Sequence, residues 1–242
     1  MVDLALLMND DGKEIPIPPS VTLESYRKWR SPFFGRQNPE RMTNPVWDWL
    51  IRTKVTAFAV ANFFDESSSC WDKPGWCFDR FGQTVTLLPD GRKIFIAGEH
   101  EDHYDPDFHI YNDVVVWNSD ESVEVFGYPE AVFPPTDFHS ATLIHDQILI
   151  IGNLGHPAQR IIGPTPVFTL DLTDFTISPV RTSGESPGNI YNHTAKLVEG
   201  TNYVSIRGGK VQSSETGLFH ENEENCRLHL TDWRWERDSS EQ

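Results

Sequence analysis

The densest run of ionisable side chains is Glu99-His100-Glu101-Asp102-His103-Tyr104-Asp105-Pro106-Asp107-Phe108-His109. Imidazoles and carboxylates are ligands for divalent metal ions, so His100, His103 and His109 are the candidate metal ligands. Their spacing matches no established metal motif. Read as charge alone, the run is a solvated acidic loop in which Glu99, Glu101, Asp102, Asp105 and Asp107 can meet a cationic surface. A second acid-rich run, Lys210 to Asn225, holds Glu215, His220, Glu221, Glu223 and Glu224. Of these, Glu221, Glu223 and Glu224 join the candidate partner-binding set. Between the two lies Leu154 to Arg160, with the single histidine His156. If these loops share one rim, they form a negative face better suited to a basic protein than to catalysis. No cofactor is expected; the histidines keep a divalent metal open as the alternative.

Other chemistry finds little footing. The chain has no glycine-rich phosphate loop before a lysine, no His-Glu-x-x-His and no Gly-x-Ser-x-Gly. Gly208-Gly209-Lys210 lacks the preceding spacing and opens no predicted helix, so it is not a phosphate cradle. Arg80 and Arg207 read as partners of local carboxylates.

These loops must be positioned by a repeating β-rich segment. Its first copy runs Asp79 to Leu88, turns at Pro89-Asp90-Gly91 and continues Ile94 to Gly98. The second runs Asp137 to Leu143, turns at Asp146-Gln147 and continues Leu149 to Asn153. The third runs Tyr191 to Leu197, turns at Glu199-Gly200-Thr201 and continues Tyr203 to Gly209. After each hairpin come a variable loop and a second strand pair. That pair is Val114–Trp117 with Val123–Phe126, then Phe168–Ile177, then Cys226–Trp235, the last two sharing Leu-x-Leu-Thr-Asp-aromatic. Four strands recurring about every 50–60 residues is the pattern of a propeller blade.

At these residues the sequence resembles the kelch family of β-propellers. Ala97-Gly98, Gly152-Asn153 and Gly208-Gly209 stand at the family's paired-glycine position, and Trp235 at its tryptophan. Ile177 and Val123 replace that tryptophan in the other copies, and Val116, Leu170 and Leu228 replace the family tyrosine. His139 and His193 recur at one position, with Gln83 in the first copy; we read them as a structural hydrogen bond repeated within each blade rather than as ligands. The resemblance implies an all-β fold of three kelch-like, four-stranded antiparallel blades. Some family members are copper oxidases or sugar isomerases, but no oxidase-type Tyr/Cys/His set matches here.

The domain organisation expected is an N-terminal segment at 1–65, a connector at 66–78 and the blades at 79–242. Three blades do not close a propeller, so completion is expected from a homodimer, or from the N-terminal segment, unless the array is an open arc. In that segment, Thr22 to Trp29 reads as a short helix. A main helix begins at Pro45 and carries Trp47, Leu50, Val55, Phe58 and Phe63 along one face. Asp3 to Met8 and Glu14 to Ile17 read as strands about an Asp11-Gly12 turn. Trp71 and Trp76 of the connector read as exposed aromatics.

The 36 acidic and 20 basic residues give a formal net charge of -16, which disfavours nucleic acid and anionic membranes as partners. No secretory leader or membrane span is legible, and the three cysteines, Cys70, Cys77 and Cys226, read as reduced thiols, so a cytoplasmic location is expected. Two functions follow. One is a non-enzymatic, acidic protein-binding module, for instance an immunity-type inhibitor masking a basic partner. The other is a metal-dependent or sugar-acting kelch-type enzyme with its site on the loop rim.

Overall fold

The computed structural model describes residues 5–8, 12–66, 73–100, 104–160, 163–213 and 216–237. Glu101, Asp102, His103, Glu215, Cys70 and Trp71 lie outside the described residues.

The N-terminal segment opens with an antiparallel hairpin of β1 (Leu6–Met8) and β2 (Glu14–Pro16). Helix α1 (Leu23–Trp29) starts at a capping box: Ser25 N donates to Thr22 Oγ1 at 3.2 Å and Thr22 N donates to Ser25 Oγ at 2.8 Å. After β3 (Glu40–Arg41) comes α2 (Pro45–Thr53), where Asn44 Oδ1 accepts from Val46 N and Trp47 N and Pro45 fills the first turn. The helix predicted to run on from Pro45 is in fact two. Lys54 ends α2 in the left-handed region at φ 56°, and Thr56 then caps α3 (Ala57–Phe63) by accepting from Ala59 N at 3.2 Å. The break turns Val60 and Ala61 inward and leaves Phe58 44% exposed, so Phe58 is not the buried anchor its spacing suggested.

The remainder is mostly β. The first sheet is a meander of β4 (Thr84–Leu87), β5 (Lys93–Ile96), β8 (Val114–Trp117) and β9 (Val123–Gly127), with β3 added on β9. A small hairpin, β6 (Glu99–His100) with β7 (His109–Ile110), rises from it. The second sheet is β10 (Ser140–Ile144), β11 (Gln147–Ile151), β12 (Val167–Asp171) and β13 (Ile177–Pro179). Strands β14 (Ser183–Gly184) and β15 (Ile190–Tyr191) then lead into the third sheet. It comprises β16 (Thr194–Leu197), β17 (Tyr203–Arg207), β20 (Cys226–His229) and β21 (Arg234–Arg237), with β14 added parallel to β21. A further small sheet joins β15 to β18 (Lys210–Gln212) and β19 (Phe219–Glu221). Mostly antiparallel sheets with few helices are consistent with a propeller-like fold.

The first strands β4, β10 and β16 lie side by side, and two repeated links hold them. Phe138 N donates to Gly82 O at 3.0 Å, and one sheet on, Asn192 N donates to Phe138 O at 2.8 Å. His139 Nε2 meets Thr84 Oγ1 at 2.8 Å, and His193 Nε2 meets Ser140 Oγ at 2.8 Å. The imidazoles therefore bond to the preceding sheet, not within their own blade. A hydroxyl and an imidazole on successive first strands are what a stack of sheets can pair, so the link travels between sheets. Glycine is required beside these strands. A Cβ on Gly98 would stand 2.8 Å from Gln83 Cβ, and one on Gly209 2.5 Å from Tyr191 O.

Three apolar layers follow. The first and second sheets close over Ile94, Ile96, Val114, Val116, Ile148, Ile150 and Leu170. The second and third close over Ile151, Val204, Ile206, Leu228 and Trp235. The other face of the first sheet, Val115 and Val125, packs on Trp47, Leu50 and Ile51 of α2 together with Trp76 and Phe78. Trp76 is 1% exposed, which corrects its reading as an exposed connector aromatic: Trp47 stacks on it at 4.8 Å. Trp47→Ala should cost about 3–5 kcal/mol in chemical denaturation, and Phe58→Ala less than about 1 kcal/mol. Equal losses would contradict this placement of α2 and α3.

Candidate partner-binding rim

Each variable loop follows the second strand of its sheet, and side-chain contacts bring the three together. The Phe108 ring of the first loop lies 5.8 Å from the His156 ring of the second. Arg160 of the second stands over Phe219 of the third at 5.0 Å. Backbone bonds reinforce this: Gly98 N donates to Thr136 O, and Asn153 N to Ile190 O. The loops thus share one rim, which carries Glu99 and the exposed Asp105, with Asp107 half-buried beside it.

Beneath the first loop sits a buried ion pair. Arg80 binds Asp113 through both guanidinium nitrogens, Nη2 to Oδ2 at 3.0 Å, and Trp76 Nε1 donates to the same Oδ2 at 3.0 Å. The guanidinium carbon lies over Tyr111, 3.4 Å from the ring centroid. His109, predicted as a metal ligand, packs here instead: it stacks on Phe34 at 5.7 Å and meets the Tyr111 edge at 4.7 Å. Burial first, and then the Arg80 charge, lower its pKa from 6.5 to about 4. His100 faces His109 across the β6–β7 pair. Among the described residues, no group of three or more His, Cys, Asp and Glu is arranged to hold a metal ion. Cys77 and Cys226 are buried.

Sequence reasoning missed Asp137, which reads in the chain as the start of a strand. It is fully buried at the junction of the first two loops; Oδ1 accepts from Gly155 N at 2.7 Å, and its carboxyl meets that of Glu99. Burial raises the Asp137 pKa above its ordinary value, against the lowering effects of the Gly155 N–H, Glu99, the Leu154 N–H and Arg160.

The third loop sits beside a groove of about 1040 Å³ lined by Gly188, Gln212, His220, Glu221, Glu223 and Glu224 among others. All three predicted acids therefore share it. Arg237 holds Glu224, with Nη1 to Oε1 at 2.8 Å, and reaches Glu185 at 3.3 Å; Lys210 stands 3.6 Å from Glu221. Glu223 is exposed and makes no ion pair among the described residues.

No protein-family model matches the chain, and no curated protein matches it. Among solved structures, that of YjhT is similar at 11% identity with a TM-score of 0.49, over 68% of this chain and 55% of that one. The chain thus spans about half the length of that structure. No helix among the described residues is long and apolar enough to cross a membrane.

Two pH dependences follow. Burial lowers His139 from 6.5 to about 3, His193 adding to the effect, and lowers His193 to about 4. Their Nδ1 atoms are buried without a partner, so charging either ring is unfavourable. The stability they contribute is complete above the ordinary histidine value and is lost as pH falls through it toward the folded values, on the order of a few kcal/mol. Gln83 occupies the same repeat position, so His139→Gln should fold and flatten this acid loss in denaturation curves; an unchanged slope would contradict it. Asp137 has the opposite sign. Its raised value favours the fold at low pH, and that contribution disappears as pH rises through it. Asp137→Asn, which keeps the Gly155 acceptor, should remove this loss as pH rises from the ordinary aspartate value. An Asp137→Asn curve parallel to wild type would contradict the raised value.

Proposed function

We propose that the chain is a kelch-like, propeller-type module, built on three blades, that binds a basic protein through its acidic loop rim. The observation that carries this reading is the convergence of the acid-bearing first and third loops on one side of the sheets, joined through His156 and Arg160. Exposed acids contribute little to folding and much to the long-range field that steers a cationic partner. An inhibitor of immunity type, covering a basic toxin, is one form such a module takes. The two ends of the array are unlike: on the outer face of the first sheet α2 and Trp76 cover Val115 and Val125 while Val85 and Leu87 of β4 stay exposed, and the third offers Arg207, Arg227 and His229. The exposed Val85 and Leu87 leave an apolar strip that a second copy of the chain can cover, as in the expected homodimer.

The test compares the wild-type chain with a variant in which Glu99, Asp105, Asp107, Glu221, Glu223 and Glu224 become their amides. Proteins retained by each are identified, and the association rate of the partner is followed against salt. The expected partner is basic, and the variant, folded by circular dichroism, should associate at least about tenfold more slowly with a flatter salt dependence. Partners retained equally by both proteins would overturn the proposal.

A further inference from the structure

The acidic groove is bordered by a strand with one edge unpaired among the described residues. Asn222 N donates to Gly209 O at 2.8 Å and Ser213 N donates to Leu218 O at 2.9 Å. In an antiparallel ladder these bonds alternate with non-bonded pairs, here Lys210–Glu221 and Gln212–Phe219. The backbone N–H and C=O of Phe219 and Glu221 therefore point away from β18. On the other side, Gln212 N is already used, donating to Asn189 O at 3.2 Å. Among the described residues β19 pairs only with β18, and His220 and Glu221 are exposed.

We infer that β19 receives an extended, lysine- or arginine-bearing segment of the partner as a fourth strand of the β15–β18–β19 sheet. This rests on the proposed basic partner and specifies how it is held. Main-chain bonds to Phe219 and Glu221 supply a row of donors and acceptors that any extended segment can meet. Selection comes from charge. Glu221 lies on the edge itself, and Glu223 and Glu224 follow within one turn of chain, so cations at alternate positions of the incoming strand face carboxylates while an acidic segment is repelled. Glu223, with no ion pair of its own among the described residues, is the carboxylate left for that role.

A short peptide of alternating threonine and lysine is the probe, with three companions: its glutamate analogue, and two copies N-methylated on one or the other set of alternate residues. Fluorescence anisotropy measures binding, and amide hydrogen exchange reads Phe219 and Glu221. The lysine peptide should bind and slow exchange at both amides at least about tenfold. The glutamate analogue should not bind, and one N-methylated copy should lose affinity although its charge is intact. Glu221→Pro removes an N–H that β18 does not use, so an edge strand can carry it; binding should weaken at least about tenfold, beyond the loss in Glu221→Gln. If Glu221→Pro does not fold, the N-methylated copies decide. Binding without slowed exchange, and indifferent to N-methylation, overturns strand addition and leaves the basic-partner reading standing. No binding of the lysine peptide also overturns it and means that the charges only guard the edge from self-pairing. The basic-partner reading then rests on the amide variant of the whole rim.

Discussion

Everything above the first sheet depends on the Arg80–Asp113 pair. Its value lies in the groups it joins. Arg80 Nε donates to Cys77 O at 2.7 Å and Nη1 to Ala97 O at 3.2 Å, tying the connector to the end of β5. Trp76 donates to Asp113 and stacks on Trp47, so the pair also grips α2. Tyr111, under the guanidinium, donates to Gly75 O at 2.9 Å and accepts from Cys77 N at 3.1 Å. Removing either charge would leave the other buried and unmatched, the costly way to break such a pair.

This junction covers part of the apolar outer end of the array. The outer face of the first sheet is apolar at Val115 and Val125 and would invite association if bare. Trp47, Leu50 and Ile51 cover these two, Val85 and Leu87 of β4 stay exposed on the same face, and β3 occupies the outer edge through Met42 N to Val125 O at 2.7 Å. The third sheet solves the same problem by composition, alternating Val204 and Ile206 inward with Ser205 and Arg207 outward. The rim is therefore set on a scaffold whose two ends differ. The shared-sheet ladder of His139 and His193 holds the first strands together beneath it.

Much of this was legible from local chemistry. The hairpins of β4–β5, β10–β11 and β16–β17 follow from alternating apolar residues and turn signals. The Thr22 to Trp29 run and Pro45 at a first helical position announced α1 and the start of α2. The break at Lys54 was hidden because apolar spacing continues across it, while only the Thr56 hydroxyl marks the new start. The two-residue strands β3 and β14 carry too few side chains to show a period. The connector reads as surface from its Ser, Pro and Gly, yet Trp76 is buried, since only tertiary packing places Trp47 against it. Of the site, the acids were readable as charge. The burial of His109, the Glu99–Asp137 contact and the edge at Phe219 and Glu221, unpaired among the described residues, depend on neighbours distant in the chain.

The central claim is that the N-terminal segment and the first sheet form one cooperative unit locked by the buried pair and supporting the rim. Native-state hydrogen exchange measures it directly, by comparing the opening free energies of Leu50 and Ile51 in α2 with those of Val115 and Val116 in β8. The account predicts that the two groups open together, with the same free energy and the same dependence on denaturant. Exchange of α2 through a separate opening of much lower free energy, with β8 still protected, would contradict it.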